Sequence, residues 1–438
     1  MRHFHLLLNL SATAFLISSL QLLSYADDWP QWRGPNRDGV WKETGILTEF
    51  DSASVTPKWS APVGSGYSGP TVSDGRVYVT SRLEKPEQLE QVHCFDRLTG
   101  KEIWKYAYSC EYIDIGYPLG PRASVAISDG KAYALGAMGH FHCLDAVTGE
   151  LLWQNNLSDS YGASMPVWGI TSSPLVDDKR VYLQVGGEPD ACIVALDKDN
   201  GDEQWRSLNG KASYSAPHFI EQNSKRFILV YTGDWLAALD PVTGTPAWKH
   251  EMKRSKMVIN VPDAVVDTDT NRIFLTSFYD GSYLFQMARE KETVELLWSR
   301  KGMNERRTDA LHTMIMTPLI RGNYVYGMDS YGEFRCLDLS NGDRVWSDQT
   351  LIENGRWGTA FFVQNGDRTW IFTENGDLVI ARLTPQGFER ISTTHLIDPT
   401  TFLPNRSGNI LWSHPAYADK CIFVRNDLEL ICVDLSAN

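Results

Sequence analysis

Five stretches of this chain obey one rule: an Asp, a Gly four residues later, and a Trp four residues after that. They are Asp96-Gly100-Trp104, Asp145-Gly149-Trp153, Asp197-Gly201-Trp205, Asp240-Gly244-Trp248 and Asp338-Gly342-Trp346. "HCLDAVTGELLW" (His142 to Trp153) spells the phrase out in full, as do "HCFDRLTGKEIW" (His93 to Trp104) and "RCLDLSNGDRVW" (Arg335 to Trp346). Two further copies are degraded. One runs from Gly281 through Met287 to Trp298, and the other from Gly376 through Arg382 to Ile391, having lost both Asp and Trp. A unit that recurs at fixed spacing has to bury its apolar face against its own neighbours. The repeat therefore overrides the prior of about two or three separate domains that length alone suggests.

Each unit has the same upstream parts. A Pro often opens it: Pro70, Pro174, Pro217, Pro262, Pro318 and Pro415. An alternating apolar run follows, such as "RVYVTS" at Arg76, "RVYLQV" at Arg180 or "RIFLTS" at Arg272, and there are eight such runs. Alternation with period two indicates strands. A third strand leads into the Asp, and the Trp sits on a fourth. From Trp59 to Ile391, seven steps cover 332 residues, about 47 per step. Four short strands in each of eight such units predict an all-β fold, an eight-bladed β-propeller of four-stranded antiparallel blades.

The two ends of the chain carry complementary fragments. "LICVDL" (Leu430 to Leu435) has the Asp with no strand after it, and "PKWSAPV" has Trp59 with no Asp before it. Together they make one repeat. The N-terminal strand is thus expected to close the ring on the last blade and remove an open edge. Every role within the phrase is structural. The Asp accepts backbone N–H bonds in the turn. The Gly supplies a positive φ. The Trp packs one blade on the next and needs one acceptor for its N–H.

The rest of the composition bounds the setting. Residues 1–26 read as a signal peptide: Arg2, an apolar run from about Leu6 to Leu23, then Ser24-Tyr25-Ala26. Cleavage after Ala26 and retention as an N-terminal anchor both stay open. No Cys lies in or just after this segment, so a lipoprotein is not expected, and export to the periplasm or medium is. No later stretch approaches the ~18 apolar residues of a membrane span. Residues 27–54 form an N-terminal extension, and 55–438 the single propeller. A net charge of −13 argues against nucleic acid or an anionic membrane as partner. Four of the seven Cys (Cys94, Cys143, Cys336 and Cys432) fall at or near equivalent repeat positions and read as small buried residues. Cys421 and Cys432 flank Asn426-Asp427, so pairing across a hairpin stays open. A monomer is expected.

The Asp-x-x-Thr-Gly-x-x-x-Trp phrase resembles the repeat of the pyrroloquinoline-quinone (PQQ)-like eight-bladed propellers, over essentially all of Trp59 to Leu435. That family includes quinoprotein alcohol dehydrogenases and BamB-like outer-membrane assembly propellers. "DWPQWRGPNRDG" (Asp28 to Gly39) and the segment Trp412 to Leu435 also look like exported bacterial members of ill-defined role. The resemblance implies either a non-catalytic binding or assembly scaffold, or a dehydrogenase that uses PQQ with calcium to oxidise alcohols or sugars. The dehydrogenases carry adjacent Cys residues over the cofactor, and no Cys-Cys occurs here.

Function has to reside where the repeats differ, in the loops from each fourth strand to the next blade. Near their channel ends lie Arg122, Trp168, Tyr214, Asn260, His312, Trp357, Trp412 and His414. Converging on a channel, an Arg, two His and three Trp could hold a planar anion or a partner group; equally, the Trp side chains could plug the channel. His140 and His142 share one strand face but have no third partner for a metal. "DTDTN" (Asp267 to Asn271) lacks the Gly and Glu of a calcium loop and reads as a turn. No metal site is expected.

Overall fold

The computed structural model describes residues 28–404 and 406–437, so the expected signal segment lies outside the described residues. Eight four-stranded antiparallel sheets make the ring. Blade 1 comprises Thr71–Ser73, Arg76–Leu83, Leu89–Asp96 and Glu102–Ser109. Blades 2 to 7 repeat this meander from Ala126, Leu175, His218, Val265, Leu319 and Ala360. In blade 8, Ala416–Ala418, Cys421–Arg425 and Glu429–Asp434 come from the C-terminal end, and the fourth strand is Trp59–Pro62. Trp59 lies opposite Cys432 and Pro62 opposite Glu429. The ring closes as the orphan half-repeats predict. Among the described residues α-helix is confined to Leu157–Tyr161, and none is long and apolar enough to cross a membrane.

The repeated phrase does what its residues suggest. Oδ1 of Asp145 accepts the N–H groups of Val147 (2.9 Å) and Thr148 (2.8 Å), and Asp96 and Asp240 hold their turns likewise. Gly149 has φ 76°, and its Cα lies against Trp104 of the preceding blade, where a Cβ would come within 2.5 Å of the ring. Each Trp therefore roofs the next blade's turn. Its indole N–H donates to the carbonyl just after that turn's Asp: Trp59 to Arg97 (2.8 Å), Trp104 to Ala146, Trp153 to Lys198, Trp205 to Pro241 and Trp298 to Leu339. Trp248 and Trp346 depart from this: in blade 7, whose turn has no Asp, Trp346 donates to the Thr384 carbonyl (2.9 Å). Blade 5 lacks the Asp-Gly turn, and Trp248 donates to Oε1 of Gln222 in its own blade instead (2.8 Å).

Cysteines at or beside the repeat position are buried and free. Cys421 lies opposite Asp434, and Cys432 opposite Phe423, so the two thiols are offset by two residues across the ladder.

The N-terminal extension is part of the ring's architecture. Trp29 pairs with Val72 of blade 1, and Pro30 accepts from Ile127 of blade 2. The Arg37 guanidinium donates to the carbonyls of Ser173, Pro174 and Pro217 at the inner edges of blades 3 and 4. Trp41 donates its backbone N–H to Gln364 of blade 7, and Leu47 to Leu435 of blade 8. Apart from those of Arg37, which reach down to the starts of the first strands of blades 3 and 4, these contacts fall toward the ends of the strands that carry the turns between first and second strands. A meander puts the Asp-Gly turns on that same side. The strap thus crosses the turn face of the ring, and the loops that join blades lie on the other.

Candidate functional site

The loop face opens into a blind cavity of about 140 Å³ on the channel axis. That volume holds several waters or a small flat group. Six of the eight residues expected at the channel line it: Arg122, Trp168, Tyr214, Trp357, Trp412 and His414. Asn260 and His312 stand behind the wall. Asn260 Nδ2 donates to the Thr232 carbonyl (3.0 Å), and its own carbonyl accepts from Tyr214. His312 is buried and spent on backbone. Its Nδ1 donates to Phe278 O (2.9 Å) and its Nε2 accepts from Gly302 (3.1 Å). Periodicity placed both at the correct end of a loop but could not show that the side chains turn into the blades.

Aromatic rings make the wall. Tyr117 touches Trp357 (5.4 Å), Trp412 (5.9 Å) and Trp168 (6.3 Å), mostly edge to face. Trp168 packs on Tyr214 at 5.1 Å, and Tyr67 on Trp412 at 6.2 Å. Two of these residues have left-handed backbone: Tyr117 at φ 54° and Trp357 at φ 67°. For bulky side chains this conformation is costly and persists only where surroundings impose it. Trp357 is held by its N–H to Ser330 O (2.8 Å) and by Arg356 over its ring (4.5 Å), itself fixed to Glu305 (3.0 Å). The buried Trp357 indole N–H finds no acceptor among the described residues.

The polar groups of the wall are largely committed. Arg122 donates to the carbonyls of Gly120 (2.9 Å), Gly116 (2.7 Å) and Tyr117 (2.5 Å) and lies over the Tyr67 ring. Burial lowers its pKa, and no carboxylate lies within 4.0 Å among the described residues. His414 is fully engaged. Its Nδ1 faces Pro415 O at 3.2 Å and so carries the proton. Its Nε2 accepts from Ser124 (2.7 Å) and from the Gly69 N–H (3.2 Å). Burial pushes its pKa down to about 4, so the ring is neutral.

The floor comes from a segment the repeat does not contain. Trp32 lies edge-on to His414 at 4.3 Å and donates to Asp263 at 2.5 Å. Asp263 also accepts from the Ala216 N–H (2.7 Å) and faces Arg33 at 3.8 Å. Burial raises the Asp263 pKa, and Arg33 opposes that shift. Below it, burial takes Arg37 down to about 10 and, with Arg33 and Arg37 nearby, holds His218 at about 3. Trp32 and Asp263 on the floor, and Tyr67 and Tyr117 in the wall, are among the site residues that the sequence reading missed. The available signal was the dense "DWPQWRGPNRDG" run, too rich in Trp and Arg for an idle linker.

A family model described as outer membrane protein assembly factor BamB matches residues 89–348, more than half of the chain. An outer membrane protein assembly factor BamB from Shewanella oneidensis is 24% identical over 306 residues, covering 67% of this chain and 62% of that protein. The chain thus spans less than two thirds of this relative. The structure of BamB from Moraxella catarrhalis matches with TM-score 0.57 at 15% identity, over 86% of this chain and 99% of that one. Quinohemoprotein alcohol dehydrogenase from Comamonas testosteroni matches with TM-score 0.62 at 14% identity, over 94% and 81% respectively. At such identities these structures share the fold alone.

Proposed function

Because the chain belongs to the family described as outer membrane protein assembly factor BamB, we propose that it is a binding scaffold. In this reading it is an exported, non-catalytic propeller whose loop face holds a protein or small-ligand partner. The observation that carries the reading is the state of the cavity's polar groups. Arg122, His414 and Asp263 each spend hydrogen bonds on the protein's own backbone, and what remains toward the opening is aromatic surface. Such a wall binds by packing and shape.

Catalytic readings find less support in these residues. Ser124 and His414 have the spacing of a nucleophile and base, but Ser124 is buried and off the cavity wall. His414 also shares its lone pair with Gly69 and has no carboxylate behind it. PQQ is a planar tricarboxylate, and in the dehydrogenases it sits beside calcium. A fit would need cations free to meet those carboxylates and acidic oxygen ligands for the metal. Here Arg122 already serves three carbonyls, Asp263 puts a carboxylate on the floor, and no group of three or more His, Cys, Asp or Glu among the described residues could hold a metal ion. The residues do not fit that cofactor.

Titration with PQQ and calcium, followed by tryptophan fluorescence, tests the scaffold reading. No saturable binding is expected in the micromolar range. Binding tighter than about 1 μM, lost on Arg122→Ala or Trp357→Ala, together with dye-linked alcohol oxidation, would overturn it.

A further inference from the structure

The charge on the loop face is unevenly placed. The chain as a whole carries −13. Yet residues 252–258 ("MKRSKMV") and 301–308 ("KGMNERRT"), which leave blades 4 and 5, hold six cations and a single acid, Glu305. Four of those cations, Lys253, Lys256, Arg306 and Arg307, have no carboxylate within 4.0 Å among the described residues. Lys256 instead sits over Tyr279 (4.7 Å) and Arg306 over Tyr331 (5.3 Å). Loops on the other side of the same face run the opposite way, with Glu111 and Asp114 after blade 1 and Glu188 and Asp190 in blade 3.

This basic sector is continuous with the cavity. Trp357 packs on Phe278 (6.4 Å), Phe278 on Tyr279 (4.9 Å), and Lys256 lies on Tyr279. On the other flank Arg356 covers Trp357 and is bound to Glu305, beside Arg306. Large apolar side chains stand exposed on the same two loops: Met257 (46% exposed) and Met303 (78% exposed). Unpaired cations, exposed methionines and an aromatic pit form a surface prepared for contact.

We propose that the loop face over blades 4 to 6 docks an acidic segment of a partner polypeptide, with one aromatic side chain of that segment seated in the Trp357 cavity. Charge complementarity selects the occupant. Free cations clustered on an acidic protein attract carboxylates and repel basic chains, and the pit offers edge-to-face packing for a ring. The inference rests on the scaffold reading and names the class of partner for it.

The test uses the full chain and a fluorescein-labelled peptide of about a dozen residues, rich in Asp and Glu around a central Trp, read by anisotropy. Two control peptides replace the Trp by Ala or the acids by Lys. The acidic Trp peptide is expected to bind and to weaken with added salt. Its affinity should fall at least about tenfold in the K253E/K256E/R306E/R307E variant. Preference for Trp over Ala should vanish in Trp357→Ala, with Trp357→Phe retained as a folded alternative and circular dichroism checking both. Equal binding of the Lys peptide, or unchanged affinity in the charge-reversed variant, would overturn the proposal. Failure of the peptide without quinone binding removes this inference alone. Quinone binding that needs Trp357 but ignores the charge reversal removes the scaffold reading as well.

Discussion

The indole N–H of Trp32 donates to the buried carboxylate of Asp263 at 2.5 Å, and 231 positions of chain separate the two. The bond ties the N-terminal strap to the inner edge of blade 5 and gives the cavity its floor. Asp263→Ala would remove the acceptor for Trp32 and Ala216 and leave the Arg33 charge without its carboxylate. The expected loss is about 3 kcal/mol in denaturant unfolding. Limited proteolysis should cut within residues 28–47 faster than in the parent protein.

The contact between Gly149 and Trp104 separates two costs that a glycine can carry. Gly366 has φ 58° with nothing within 4 Å of where a Cβ would be, so Gly366→Ala meets only the left-handed backbone, about 1 kcal/mol. Gly149 has φ 76° and a Cβ there would lie 2.5 Å from the Trp104 ring. Gly149→Ala should therefore cost about 2 kcal/mol more, from overpacking. Urea midpoints of the two variants, at equal m-values, decide the matter.

Ring closure depends on four residues and one indole. Trp59→Ala deletes a buried ring and its bond to Arg97 O, an expected loss of about 4 kcal/mol. Removal of the chain through Pro62 bares the Glu429–Asp434 strand. That product should aggregate on size-exclusion chromatography. A monomeric product of unchanged stability would show that the pairing is dispensable.

Acid should weaken the fold through histidines before it reaches most carboxylates. Burial pushes His414 and His142 each down to about 4 from an ordinary value of 6.5. A histidine whose folded pKa is depressed binds its proton more readily when unfolded. Its full contribution is present above pH 6.5 and is lost as pH falls through 6.5 toward 4. For His414 the loss amounts to at most about 3 kcal/mol. Thermal midpoints should fall over that window, and His414→Gln should flatten the fall.

Much of the fold was legible because its signals are local and repeated. Asp145, Gly149 and Trp153 act within one turn or on the adjoining blade, so spacing alone exposes them. Even the exceptions at Trp248 and Trp346 have their cause in the sequence, where the following blades 5 and 7 lack the Asp. The site was less legible. Arg122 and His414 lie where the loops place them, yet their hydrogen bonds to Gly116 and Gly69 depend on backbone paths that no period describes. His312 and Asn260 sit at equivalent positions and turn inward. Trp32 meets Asp263 only after four blades have been laid down, a contact that has no sequence period.

A ring of repeats has no intrinsic reason to stop at eight. The strap from Trp29 to Leu47 bonds to blades 1, 2, 3, 4, 5, 7 and 8, each at a fixed chain position. A ring of seven or nine units, or one joined out of register, would move those acceptors away from Arg37, Trp32 and Trp41. The segment thus serves as a gauge laid across the hub. It counts the blades, and it fits only when the count is right.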